Sequence, residues 1–143
     1  MADRNVRIVK KAGKKPNTVQ YTKTASQLFD KNSLVEFASG VVNPADDNDV
    51  LLLGIIKQEV AATDSDYATT GAKTVEVIQA GDLVEIDTTA EVTPGTSYGI
   101  SNAYTVDQSD TTTKVFTAAK VISSTRAQGW MKTYAGNNAI ADS

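Results

Sequence analysis

Clusters of carboxylates and glycines are the places where this chain could do chemistry. Asp46-Asp47-Asn48-Asp49 has the oxygen density of a cation site. A calcium loop of the EF-hand type starting at Asp46 needs Gly at its sixth position and Glu at its twelfth. Those positions hold Leu51 and Lys57, so the pattern fails. Asp64-Ser65-Asp66 is a bare DxD. Both clusters read as turns, because Asp and Asn side chains bond nearby backbone N–H groups. Glu85 and Asp87 lie two apart, which on a strand puts both carboxylates on one face. A glycosidase would use such a pair; a solvated strand face is the plainer reading. Gly95-Thr96-Ser97-Tyr98-Gly99 lacks the GxSxG order of a nucleophile elbow. Ala12-Gly13-Lys14-Lys15 has a superficial likeness to a phosphate loop without the Walker spacing or a buried strand before it.

Composition narrows the chemistry further. The chain of 143 residues has no histidine and no cysteine. The commonest general base and metal ligand is therefore missing, and with it any Ser-His-Asp triad, thiolate site or disulfide. An enzyme would have to work through carboxylates, Lys, Tyr or Ser. We expect no catalytic residues, no cofactor and no resident metal. The basic start, MADRNVRIVKK, is followed by no apolar core of a secretory signal. No stretch reaches the ~20 apolar residues of a membrane span, so no membrane partner is expected.

The elements that would position any site are strands. Thr, Val and Ile number 18, 15 and 8 against 6 Leu. Branched side chains suit a pleated surface better than a helix. Leu34–Ala38, Val41-Val42, Lys73–Ile78, Leu83–Asp87, Ser97–Ile100, Val115–Ile122 and Trp130–Tyr134 read as strands, separated by turn clusters such as Ser39-Gly40, Ala80-Gly81-Asp82 and Thr93-Pro94-Gly95. Ser123–Gly129 reads as a connection. Residues 24–31 allow one helical turn or a loop anchored by Leu28 and Phe29, and Gln58–Ala62 is the best longer helix candidate. Short strands with turns every 8–15 residues make an all-β fold, a small β-barrel or sandwich.

Charge divides the chain. Residues 1–31 carry eight Lys/Arg and two Asp, a net of +6; residues 32–143 carry six Lys/Arg and fifteen Asp/Glu, a net of −9. This predicts a basic extended N-terminal arm (1–32), a β-barrel or sandwich domain (33–135) and a frayed C-terminal tail (136–143). The arm has too little apolar surface to order alone, although Arg7-Ile8-Val9-Lys10 can pair as a strand when docked. Its residues Arg4, Arg7, Lys10, Lys11, Lys14 and Lys15 suit charge-steered docking on an acidic protein surface. Nucleic acid is the alternative partner, since phosphate contact needs only Lys/Arg density. Against it, only Tyr21 could stack on a base near the arm, and the body is acidic.

Two apolar features ask for a partner. In Leu51-Leu52-Leu53-Gly54-Ile55-Ile56 the run is continuous and bounded by turns, which predicts a strand covered on both faces. One cover is core; the other is the arm, the 58–62 segment or a sister chain. Gly54 allows a bulge or a close backbone approach. Leu51, Leu53 and Ile55 are therefore possible interface residues. Trp130 and Tyr134, four apart, would share a strand face, as core or as interface anchors.

The pattern Gly40, Pro44-Ala45, Leu52-Leu53-Gly54-Ile55, Asp64-Ser65-Asp66-Tyr67-Ala68, Val75-Glu76-Val77 and Gly81-Asp82 resembles small capsid decoration (cement) proteins of tailed bacteriophages. The segments VTPGTSYGIS and VFTAAKVISSTRAQGWMK are similar to the closing half of that domain, so the resemblance spans about residues 33–134. It implies a structural virion protein without an active site, made in the host cytoplasm and placed on the outer capsid surface. It also implies the major capsid protein as partner, a homo-oligomer, trimer favoured, and a shell stabilised by stapling neighbouring subunits. A nucleic-acid-binding β module with a basic tail is the alternative, and a carbohydrate-binding or enzymatic β domain a weaker third.

Overall fold

The computed structural model describes residues 6–12, 17–47, 49 and 51–134. The strands are β1 (Arg7–Lys10), β2 (Thr18–Thr22), β3 (Ser33–Ala38), β4 (Val41–Pro44), β5 (Gly54–Ile56), β6 (Ala72–Val77), β7 (Leu83–Thr88), β8 (Ser97–Asn102), β9 (Thr105–Asp107), β10 (Phe116–Ser123) and β11 (Arg126–Met131). No helix occurs among the described residues. The helical turns considered at 24–31 and 58–62 are instead irregular segments that meet at a bridge between Phe29 and Val60. Phe29 is the buried anchor there, while Leu28 faces solvent.

The strands form two five-membered systems. In the order β7-β11-β10-β8-β9, a parallel pairing of β9 back onto β7 closes a five-stranded barrel; β1 adds to the same edge of β7 ahead of β9. The second sheet, β2-β6-β5-β3-β4, is antiparallel throughout. Its two edges approach each other at a single parallel bridge between Lys23 and Val42.

Alternation along the strands assigns each side chain to a core. Val84 and Ile86 of β7, Tyr98 and Ile100 of β8, Val106 of β9, Phe116 and Ala118 of β10 and Ala127 of β11 fill the barrel. Leu34, Leu52, Ile55 and Ile78 extend that core from the second sheet. On the sheet's other face Val35, Val42, Leu53, Ile56, Val60, Val75, Val77 and Phe29 form a second core. Burial on this scale, about 25 cal/mol per Å² of apolar surface, is what holds a fold without cross-links.

The Leu51–Ile56 run lies at the seam of the two cores. Leu52 and Ile55 enter the barrel core, and Leu53 and Ile56 enter the second. Both faces are covered by the same chain, and the cover includes Val60 of the 58–62 segment and Tyr21 of the basic segment. Gly54 is the close-approach position: a Cβ there would collide with the Glu76 carbonyl on the neighbouring strand.

Several expected boundaries move. The last strand begins at Arg126, where a connection was expected. Gly129 looked like loop punctuation, but it makes room for the Phe116 ring and the Thr117 carbonyl, with which a Cβ would clash. The strand ends at Met131, and Thr133 then bridges to Leu52 across the seam. The basic segment also belongs to the body. Val6 is buried in the barrel core, and β1 and β2 add edge strands to the two systems. The frayed tail expected at 136–143 lies outside the described residues.

Candidate interaction surface

Buried polar side chains are costly unless they are paired, so their partners show what this body is built to hold. Lys23 is fully buried. Its ammonium donates to the carbonyls of Thr69 at 2.6 Å and Asp66 at 2.8 Å, and to those of Tyr67 and Thr24 at 3.4 Å. It thereby shapes the loop that contains Asp64-Ser65-Asp66. Asp66 also takes an ion pair from Lys73 at 2.8 Å; that hydrogen bond comes first among the causes that hold its carboxyl below the usual range.

Asp82, 1 % exposed, is a second staple. It accepts from the Gln79 N–H and the Ala12 N–H, both at 2.8 Å, and from Lys11 Nζ at 2.6 Å. Gly81 before it has φ of 84°, the left-handed region that favours glycine. The Gly81-Asp82 turn therefore clasps the end of β1.

The outer face of the barrel carries the third polar group. Glu85, 7 % exposed, accepts from Arg126 Nε and Gln128 Nε2, both at 2.9 Å, and from Arg7 at 3.3 Å. Arg126 also reaches Asp87 at 2.8 Å. Burial pushes the Glu85 carboxyl up, but the bonds from Gln128 and Arg126 and the charges of Arg126 and Arg7 outweigh it and hold the carboxyl below its usual range. Burial pulls the Arg126 guanidinium down, but its bonds to Asp87 and Glu85 and their charges outweigh that and raise it. Glu85 and Asp87 do share a face, as their spacing predicts. They are tied into an ion-pair network, and Glu85 is not the solvated side chain expected.

Beside this network, Trp130 stands on the same outer face, 37 % exposed and paired across the ladder with Thr117. Thr117 Oγ1 in turn lies 2.8 Å from Ser97 Oγ. The result is a half-exposed indole with hydroxyls on one side and an Arg/Glu/Gln network on the other. A central aromatic within a polar rim is how contact hot spots are built.

Tyr134 does not share that face. Because the chain crosses to Leu52 after Met131, Tyr134 packs edge-on against Phe37 of the second sheet, with centroids 5.1 Å apart, and Phe37 meets Tyr21 at 5.3 Å. Tyr134 is 43 % exposed at the end of this row. The other expected interface residues part company. Leu53 and Ile55 are buried in the chain's own cores, so their side chains cannot meet a partner in this state; Leu51 is half-buried. Of the arm residues, Arg7 and Lys11 are paired with Glu85 and Asp82, Lys10 is exposed, and Arg4, Lys14 and Lys15 lie outside the described residues.

One feature has no counterpart in the motif reading. Glu36 of β3 lines an open cleft of about 390 Å³ with Gln27, Asn43, Pro44 and Asp46. Its Oε2 is buried without a hydrogen-bond partner. Burial first, then the charges of Asp49 and Asp46, push its carboxyl up to about 7. Asp49 is raised too, chiefly by burial. The signal was present in the strand's alternation, which puts Glu36 on the same face as Leu34, turned toward the body.

Among the described residues, no group of three or more acidic side chains is arranged to hold a metal ion. The Asp46–Asp49 cluster forms a turn in which the Asp49 carboxylate accepts from the Asp46 N–H at 2.8 Å. No protein-family model matches the chain, and no curated protein sequence matches it either.

Proposed function

We propose that the protein is a structural binding protein that sits on the outer surface of an assembled phage capsid and staples neighbouring major capsid subunits. One observation carries this reading. Key residues of the decoration-protein resemblance hold the body together. Gly40 takes the left-handed turn of the β3–β4 hairpin, with φ of 81°. Leu52–Ile55 form the seam between the cores. Asp66 and Tyr67 supply carbonyls to Lys23, and Gly81-Asp82 clasps β1. A motif that maintains a scaffold, and leaves an aromatic contact face outside it, fits a protein whose work is binding.

Stapling would follow from burying that face across a subunit boundary. Many modest contacts, multiplied over the copies of a homo-oligomer, give avidity beyond one interface. Trp130 is the anchor we assign to the contact, and Lys10, Lys14 and Lys15 the charges that steer it. Arg7 and Lys11, being paired within the chain, add less.

The test is co-sedimentation of the purified full chain with cognate capsids stripped of surface proteins. Saturable binding is expected, with a rise in the shells' melting temperature, and Trp130→Ala should lower occupancy without unfolding the chain. Absence of binding to intact shells removes the reading. The arm is tested by Lys→Glu changes at positions 10, 14 and 15, because deletion of residues 1–20 would also remove Val6, β1 and part of β2. A steeply salt-dependent mobility shift with DNA or RNA would favour the nucleic-acid module instead.

A further inference from the structure

We propose that the cleft beside the β3–β4 hairpin is a docking site for an arginine side chain of a partner protein, received by Glu36 and Asn43. The two residues stand directly opposite each other on β3 and β4. A cross-strand pair shares one face of its sheet, and both residues line the cleft. Glu36 is half-buried, and its Oε2 is covered by the protein without gaining a hydrogen-bond donor. Asn43 spends its amide nitrogen on the Ala38 and Val41 carbonyls, at 3.4 and 3.3 Å, which leaves the amide oxygen as its open end. Across this pair the hairpin therefore offers acceptors that lack donors.

An acceptor that has lost water and found no donor costs free energy, and a group that brings donors relieves it. The charge of the cleft selects which group that is. Asp46 is the other charged residue lining it, and it too is acidic. It already has a partner of its own, so it adds charge and not a bond. Gln27, Ala38, Pro44 and Ala45 carry no charge. A neutral donor gains nothing from that field, whereas a cation does. The guanidinium suits the pair best, because its planar fork can donate to a carboxylate and still hold N–H groups for the amide oxygen. Ala38 and Pro44 supply apolar wall for the methylene stem.

The cleft, of about 390 Å³, is open on its outer side, so a side chain can enter while its backbone stays outside. Free arginine would bring its own carboxylate against Glu36 and Asp46, which is why we assign the site to an arginine held within a chain. This goes beyond the contact assigned to Trp130. The cleft belongs to the second sheet and Trp130 to the barrel, and the test needs no capsid.

That test is an NMR titration of the full chain with the capped peptide acetyl-Gly-Arg-Gly-amide. It is run at about pH 8, above the value of about 7 to which burial first raises the Glu36 carboxyl. Saturable one-site shifts are expected in the Glu36 carboxyl carbon and the Asn43 side-chain amide, without comparable shifts at Asp107 and Asp110 of the barrel. The same peptide with citrulline, which keeps the shape and loses the charge, should bind about tenfold more weakly. Free L-arginine should bind several-fold more weakly than the capped peptide. Glu36→Gln should abolish the difference between arginine and citrulline peptides. Shifts that fail to saturate, or that spread equally to Asp107 and Asp110, overturn the site. So does citrulline binding as well as arginine, or a Glu36→Gln chain that keeps the native preference. Free arginine binding as tightly as the peptide would make the cleft a small-molecule site and overturn the docking. The peptide comparisons use the native chain, so a variant that misfolds leaves them decisive.

Discussion

In the barrel, β7 is hydrogen-bonded along nearly its whole length, to β11 on one edge and to β1 and then β9 on the other. In the second sheet the edges of β2 and β4 meet at one bridge, and the residue that makes it, Lys23, sends its side chain into a cage of carbonyls. A backbone ladder is indifferent to most side chains. A closure that turns on one buried ammonium is not, because its loss leaves several carbonyls without a donor. One carboxyl in each system responds to protons with opposite sign. The ion-paired Glu85 on the barrel is held below its ordinary range, whereas Glu36 on the second sheet is held above it. A continuous backbone closure thus marks one half, and a closure that turns on one buried ammonium, beside one carboxyl oxygen without a donor, marks the other.

The change that should hurt both halves most is Gly54→Ala at their seam. The added methyl has no room against the Glu76 carbonyl, so β5 and β6 must separate. Overpacking against backbone should cost on the order of 3 kcal/mol or more in urea unfolding. A loss near zero would show that the seam is softer than drawn.

Lys23→Met comes next, at about 3 kcal/mol, because a buried charged donor to several carbonyls is lost. Its effect should be confined. Exchange of the Lys23, Thr24 and Ser26 amides should quicken while the barrel amides stay protected. Uniform loosening of both halves would contradict the division. Asp82→Ala, at about 2–3 kcal/mol, should act on the other side, freeing Lys11, Ala12 and the β1 amides and leaving the Lys23 cage intact.

A pH series compares the halves without mutation. Glu36 has a folded value above its unfolded 4.5, so its contribution is fully present below about 4.5 and is lost as pH rises toward about 7. Glu85 has a folded value below its unfolded one, so its contribution is present above the ordinary Glu range and is lost on acidification through the folded value. Second-sheet amides should therefore tighten from neutral to mildly acid pH, and barrel amides should weaken only in stronger acid. Equal trends in both would break the comparison. The smallest effect is Arg7→Ala. That pair is 3.3 Å long with the arginine side chain largely in solvent, so its loss should cost under about 0.5 kcal/mol in the same urea assay.

Much of the fold was legible because period-two alternation is a local signal. Leu34–Ala38, Lys73–Ile78, Leu83–Asp87 and Val115–Ile122 appear within a residue or two of their expected places. What was not legible depends on neighbours distant in sequence. Gly129 reads as a loop until Phe116 is placed against it. Arg7–Lys10 reads as an arm that can pair as a strand once docked, but its docking partners Asp82 and Glu85 lie more than seventy residues away from Lys11 and Arg7. Trp130 and Tyr134 read as one face until Thr133 crosses to Leu52.

The sequence by itself determined the β class, the turn positions and the two-sided cover of Leu52–Ile56, because side-chain branching, Gly and Asp turn chemistry and hydrophobic alternation all act between near neighbours. Only the tertiary structure decided which charges are paired, which aromatic remains outside and where a carboxyl is left without a donor. The physical reason is that desolvation and ion pairing depend on what long-range strand pairing brings alongside a group, which no local pattern in the chain contains.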